Sequence, residues 1–196
     1  AEACGSVGGP QIRNVGTLVG NVVNALPAAD GAIALFALDA EAEVAERGGQ
    51  RWTPIASLYA GVGLCTVDAC AAMITQLRFP ALGKGEAGAF ERLGKRRTLV
   101  LPILNTAAIV RIEGDKVDRA RIAIGPVAPT PFVAAEAAEA LVGQTPDEEH
   151  IARAAQLAAQ AAQPRDSLLR GSAEYRKAMV EVLVRRALWR AVEAAS

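Results

Sequence analysis

Residues 11–30, QIRNVGTLVGNVVNALPAAD, set Gly16, Gly20, the turn formers Asn21 and Asn24, Pro27 and a closing Asp30 among short apolar runs. That is the composition of backbone bent close around something. Glycine lets the main chain approach a ligand with no Cβ between them, and successive N–H groups exposed by such a turn hold a phosphate. On residue types alone a Gly/Asn turn is more often just a turn. The stretch also lacks both GxGxxG and the Walker lysine, which disfavours a Rossmann or P-loop site.

The remaining composition excludes several classes of function. With 196 residues, 52% of them hydrophobic, the chain has enough apolar material for one large or two small domains. Its 21 basic and 21 acidic residues cancel, so no global field draws in nucleic acid or an anionic membrane. The longest nearly apolar run, Leu99 to Val110, is interrupted by Pro102 and Asn105 and is too short for a membrane span. A soluble protein is expected. Ala1 to Pro10 has neither the basic start nor the apolar centre of a signal peptide. Cys4, Cys65 and Cys70 form no CxxC pair, which argues against a disulfide framework or a zinc site and fits a reduced, cytoplasmic setting. His150 is the only histidine and lies in the acidic run DEEH, so His-based triads and metal centres are not expected. No catalytic acid, base or nucleophile and no metal-ligand set is assigned.

In chain order, Ala1 to Asn14 reads as the end of an element followed by a loop. Asp30 is expected to cap a buried helix over about 31–38. Ala40 to Glu46 and Arg51 to Thr53 around Gly48-Gly49 predict a hairpin, Pro54 to Tyr59 one helical turn, and Ala71 to Phe79 a strand stopped by Pro80. Residues 81–89, with three glycines, read as a flexible connector and a domain boundary. Leu101 to Ile112 and Val117 to Gly125 predict a second hairpin, with Arg119 and Arg121 on the face opposite Ala120, Ile122 and Ile124. Pro126, Pro129 and Pro131 end the sheet, and helices follow over 133–142, 146–162 and 172–194, the last with Ser172 as N-cap and an apolar stripe from Val180 to Ala191.

Taken whole, IRNVGTLVGNVVNALPAAD resembles the second flavin-binding motif of the FAD subunit of molybdenum-containing hydroxylases, the family of the carbon monoxide dehydrogenase medium chain and the xanthine dehydrogenase flavin domain. MITQLRFP, FERLGKRR, IAIGPVAPTP and SAEYRKAMVEVLVRRAL extend the resemblance, in order, through almost all of the chain. It implies an α+β fold: a partial FAD-binding type-2 subdomain over 1–82, then over 88–196 a C-terminal domain with a small antiparallel sheet packed on a helical layer. It also implies that Thr17, Leu18, Val19, Gly20 and Asn21 hold the FAD diphosphate, with Asp30 hydrogen-bonded to the flavin. Ile74 would touch the flavin through its backbone, and Arg92 would stand near the cofactor in place of the usual lysine. Two positions depart from the pattern. Val19 replaces a glycine and puts a β-branched side chain where backbone should sit against phosphate, and Val100 replaces an acid. The family's N-terminal subdomain, with its own diphosphate loop, has no counterpart in this sequence.

Two functions are weighed on this basis. One is a FAD-binding oxidoreductase subunit whose partners are a molybdopterin-binding large subunit and an iron-sulfur small subunit, with electrons passing through FAD to an external acceptor. The other is a non-catalytic assembly module with an incomplete flavin site. The run Arg92, Lys95, Arg96, Arg97 reads first as a solvated helix end and second as a phosphate or partner contact. It lacks the aromatic residues that nucleic-acid stacking needs.

Overall fold

A computed structural model describes residues 1–96 and 99–196. Four helices open the chain: α1 (Glu2–Gly5), α2 (Pro10–Val15), α3 (Leu18–Val23) and α4 (Asp30–Ala37). The strands β1 (Glu41–Glu46) and β2 (Gly49–Pro54) follow, then a 3-10 turn (Ile55–Leu58), β3 (Tyr59–Gly61), β4 (Leu64–Cys65) and β5 (Ala72–Arg78). The rest comprises β6 (Glu86–Leu93), β7 (Leu104–Glu113), β8 (Lys116–Gly125), β9 (Phe132–Val133), α5 (Ala135–Glu139), α6 (Glu148–Ala161) and α7 (Ala173–Ala195). Three antiparallel sheets result, ordered β2-β1-β5, β3-β4 and β6-β7-β8-β9. The expected α+β architecture, with an antiparallel sheet on a helical layer, is present.

The four-stranded sheet is covered on both faces, and its pleat divides the interior in two. Successive side chains of a strand point to opposite faces. Leu104, Ala108, Val110, Ile122 and Ile124 therefore join the core shared with α6 and α7, through Val180, Leu183, Val184 and Leu188. The intervening Ala107, Ile109 and Ala123, with Phe90 of β6, join the core built on α4 through Ile33 and Phe36. One strand, β7, is thus buried on both sides from Leu104 to Val110.

Arg121 lies, as expected, on the face opposite Ile122 and Ile124, and this second cover supplies its partners. The face it occupies is packed on α4, and its Nε donates to the Phe36 carbonyl at 2.8 Å while its guanidinium pairs with Asp39 at 2.7 Å. It adds a second donor to a carbonyl at the end of α4 that otherwise accepts, among the described residues, only the Asp39 N–H, at 3.3 Å. Arg119, two residues back, is exposed.

Strand β6 takes over the last part of the expected connector, residues 86–89. Its Gly88 is required by packing, because a Cβ there would fall 2.4 Å from the Ile109 side chain. The last helix matches expectation closely: Ser172 accepts from the Tyr175 N–H at 3.2 Å, and the stripe from Val180 to Ala191 is buried. Similarly, α6 is capped by Asp147, which also binds the His150 ring Nδ1 at 2.8 Å and so gives that lone histidine a local structural role. The expected helix over 133–142 shortens to α5, since Phe132 and Val133 instead pair with Ile124 and Ala123. Of the basic run, Arg97 lies outside the described residues, and Arg92 is a strand residue rather than part of a helix end. Among the described residues, no helix is long and apolar enough to cross a membrane.

Candidate functional site

Where the sequence suggested a bare turn, the chain makes a helix start. Thr17 is the N-cap of α3, and its Oγ1 accepts from the Gly20 N–H at 2.9 Å, the side-chain cap expected of threonine. The first N–H groups of a helix, here those of Leu18 and Val19, have no intrahelical acceptor. Beside them opens a cleft of 460 Å³ whose walls include Cys4, Gly5, Arg13, Gly16, Thr17, Leu18, Gly20, Asn21 and Gly31. Two of the glycines, Gly16 and Gly20, come from the stretch that first drew attention, and Gly31 directly follows it.

Asn21 does two things. It lines the cleft, and its Oδ1 accepts from the Ala32 N–H at 3.1 Å. That bond serves the first turn of α4, whose N-cap is Ala29 and therefore has no side-chain acceptor of its own. Gly31 permits this approach, because a Cβ there would lie 2.7 Å from Leu18 Cδ1 and 2.9 Å from Asn21 Oδ1. Arg13, which the sequence reading did not single out, brings positive charge to the wall while its Nη1 donates to the Val7 and Gly8 carbonyls at 3.0 and 3.1 Å. No motif marks it; only the folding of α2 back on residues 7–8 places it there.

Val19 is not part of the cleft wall. Its side chain is half-buried and packs with Leu18 and Val23 against the core that also holds Ile74. The β-branched group that sequence logic put against phosphate is instead absorbed by the interior. Ile74 itself is buried in β5 and aligned with Val44, next to a bulge that sets Thr75 opposite no partner. Thr75 Oγ1 uses that freedom to reach Glu43 Oε2 at 2.5 Å.

Asp30 does not cap α4; it is that helix's first residue and makes no capping bond. Its carboxylate instead faces the four-stranded sheet. Asn105 Nδ2 donates to Oδ1 at 2.6 Å and to the Ala28 carbonyl at 3.2 Å, and Arg92 Nε lies 3.3 and 3.2 Å from the two carboxylate oxygens. Arg92 also donates to the Val100 carbonyl. Burial raises the Asp30 carboxyl above its ordinary value of 3.8, against the opposing pull of Asn105 and Arg92. Two residues singled out 62 positions apart are thus brought into one buried cluster. Asn105, the third member, was visible in the sequence only as a polar break in an apolar run.

Two family models match the chain. Residues 1–82 match the family described as the FAD binding domain in molybdopterin dehydrogenase, and residues 89–191 match the CO dehydrogenase flavoprotein C-terminal domain. The carbon monoxide dehydrogenase medium chain of Hydrogenophaga pseudoflava is 31% identical over 188 residues, which cover 96% of this chain and 64% of that one. The xanthine dehydrogenase FAD-binding subunit of Escherichia coli O157:H7 is 28% identical, covering 98% and 66%. The chain spans about two thirds of the length of these relatives. Among solved structures, a carbon monoxide dehydrogenase from Hydrogenophaga pseudoflava superposes with a TM-score of 0.92 at 31% identity, over 100% of this chain and 67% of that one. Quinoline 2-oxidoreductase from Pseudomonas putida 86 superposes at 0.89 with 25% identity, over 99% and 66%.

Proposed function

The chain belongs to the CO dehydrogenase flavoprotein family, whose C-terminal domain matches residues 89–191, and from that premise we propose that it acts as the FAD-binding part of a molybdenum hydroxylase complex. The observation that carries the proposal is the cleft beside α3. It combines glycine backbone bare of Cβ atoms, a threonine hydroxyl, an asparagine amide, the free N–H groups of a helix start and a nearby arginine. This is a donor set suited to a diphosphate, with Gly16 and Gly20 presenting no side chain of their own and Val7 and Ile12 adding apolar wall.

When bound, FAD supplies the redox chemistry, carrying electrons from the iron-sulfur clusters of a small subunit to an external acceptor, while substrate is oxidised at molybdopterin in a large subunit. The tasks of this chain's own residues are binding and orientation. Thr17 donates its hydroxyl hydrogen, since its oxygen already accepts from Gly20. Leu18 and Gly20 contribute main chain from the wall, Val19 would add its own N–H from just beside it, and Asn21 contributes the amide end that α4 leaves free. Asp30, buried and outside the cleft wall, would meet the flavin only through its remaining acceptor capacity: a carboxylate offers about four lone-pair sites, and Asn105 and Arg92 make three contacts to it. Arg92 offsets its charge, and Ile74 would meet the cofactor through its backbone from the outer strand β5. The division into a flavin-binding part over 1–82 and a docking part over 88–196 belongs to the same proposal.

The test is flavin retention. The purified chain is mixed with FAD, alone and with a relative's N-terminal subdomain supplied in trans, desalted, and read by flavin absorbance. Flavin that stays with the protein in the second mixture is the expected result. If none is retained in either, the redox reading is lost and the assembly-module reading replaces it.

A further inference from the structure

A second concavity, of 850 Å³, shares no lining residue with the cleft beside α3. It lies between the proline-rich segment after β8 and the connection from α6 to α7, and three arginines, Arg165, Arg170 and Arg176, line it. Arg176 is the unusual one. Its side chain is 4% exposed, and it sits near the start of α7 with Nη1 donating to the Arg165 carbonyl at 2.8 Å and Nη2 to the Pro126 carbonyl. Its Nε is buried and has no hydrogen-bond partner among the described residues. None of the three arginines forms an ion pair among the described residues; Asp166, which also lines the concavity, accepts the Ala173 N–H at 2.7 Å through Oδ1.

A buried guanidinium with an orphaned donor and two like charges for neighbours is costly unless an anion completes it. Burial, then Arg170 and Arg165, pull the Arg176 guanidinium below its ordinary value, as expected of a cation held without a counter-charge. Pro27, Val62, Val127 and Phe132 give part of the remaining wall an apolar character, beside Gln163, Asp166 and Ser167. Guanidinium groups in a fork geometry match phosphate oxygens, and a phosphate dianion offsets more of this charge than a single carboxylate does. The apolar walls leave room for an organic body, and the volume lies within the range of small-molecule sites, about 300–1,000 Å³.

We propose that the Arg165–Arg170–Arg176 concavity is a binding site for a small organic phosphate, independent of the flavin site. The three guanidinium groups hold the phosphate, with the Arg176 Nε–H as its deepest donor. The organic part packs against Val127 and Phe132.

The test is calorimetric titration of the chain with inorganic phosphate and, separately, with adenosine monophosphate. Saturable binding of both is expected, with the nucleotide tighter. The double variant Arg165→Gln, Arg170→Gln removes two charges whose side chains make no hydrogen bond among the described residues, so the fold is retained; circular dichroism checks this. It should weaken both ligands by about tenfold or more, while Arg119→Gln, on an exposed part of β8, should leave them unchanged. The proposal is overturned if neither ligand saturates at millimolar concentration or if the double variant binds as wild type does. It is also overturned if the nucleotide binds no tighter than inorganic phosphate.

Discussion

Arg92 of β6 holds its Nε 3.2 Å from the carboxylate of Asp30 at the start of α4, and both side chains are largely buried, 12% and 6% exposed. This contact ties the helix that follows the glycine-rich stretch to the sheet of the C-terminal half. Asn105 completes it from β7, on the side of that strand turned towards α4.

Removing the cation from this cluster has a predictable pH signature. Arg92→Gln leaves the Asp30 charge buried with Asn105 alone, and breaking a buried pair in this way costs about 3 kcal/mol at neutral pH. Asp30 has a folded-state carboxyl raised above 3.8, so the folded state binds its proton more tightly than the unfolded state does. Its contribution is therefore most favourable below the ordinary value and is lost as pH rises through the folded one. The variant raises the folded value further, so its deficit should shrink on acidification. Urea denaturation of wild type and Arg92→Gln at neutral and mildly acidic pH checks this; a deficit that stays constant with pH would show that Asp30 is not the charge left exposed to burial.

Gly31→Ala tests the cleft wall. The added methyl meets Leu18 Cδ1 and Asn21 Oδ1 at 2.7 and 2.9 Å, so these two side chains, and with them the Asn21 bond to the Ala32 N–H, must shift. The shift should cost about 1–3 kcal/mol by overpacking. FAD retention should fall with it, because Leu18 and Asn21 both line the cleft. Gly48→Ala, in a turn with open space around its Cβ position, is the matched control and should change neither stability nor retention.

How much of this was legible in the sequence depends on the range of the interaction. Thr17, Ser172 and the α7 stripe are local patterns, and the chain obeys them. The Gly/Asn stretch was read correctly as close-packed backbone but incompletely as a turn, since its glycines serve helix packing as well as an open wall. Strand β6 was hidden because Gly83, Gly85 and Gly88 imitate a linker. Gly88 is in fact the space into which Ile109 fits, and that reason exists only once β7 is beside it. Arg121 was legible as lying on the face opposite Ala120, Ile122 and Ile124, but alternation distinguishes two faces without saying what covers each. The pairing of Asp30 with Arg92 and Asn105 could not be found by spacing. The resemblance flagged two of the three residues as cofactor contacts, and the fold shows that they contact each other.

Arg190 provides a test of how the N-terminal segment is held. Its guanidinium pairs with Glu2 at 2.9 Å and Glu91 at 2.7 Å and donates to the Phe90 carbonyl at 2.9 Å, linking α1, β6 and α7. The side chain is 45% exposed, so each pair is screened by water, and Arg190→Gln should cost no more than about 1 kcal/mol overall. Local effects should exceed the global one: amide exchange in residues 1–6 should quicken while that of β7 stays unchanged. Added salt should reproduce part of the effect in wild type.

Val19→Gly separates the two accounts of the departure from the family pattern. If the valine side chain stood against the ligand, glycine would improve FAD retention. The structure instead places it half-buried, packed against the core around Ile74 and away from the cleft. Glycine there removes apolar packing and adds backbone freedom within α3, each worth about 1 kcal/mol. Lower stability by about 2 kcal/mol with no gain in retained flavin is therefore expected. Thermal unfolding and flavin absorbance on the same preparation read both quantities. A stable variant with tighter flavin would put Val19 back at the ligand and overturn the assignment of its side chain to the interior.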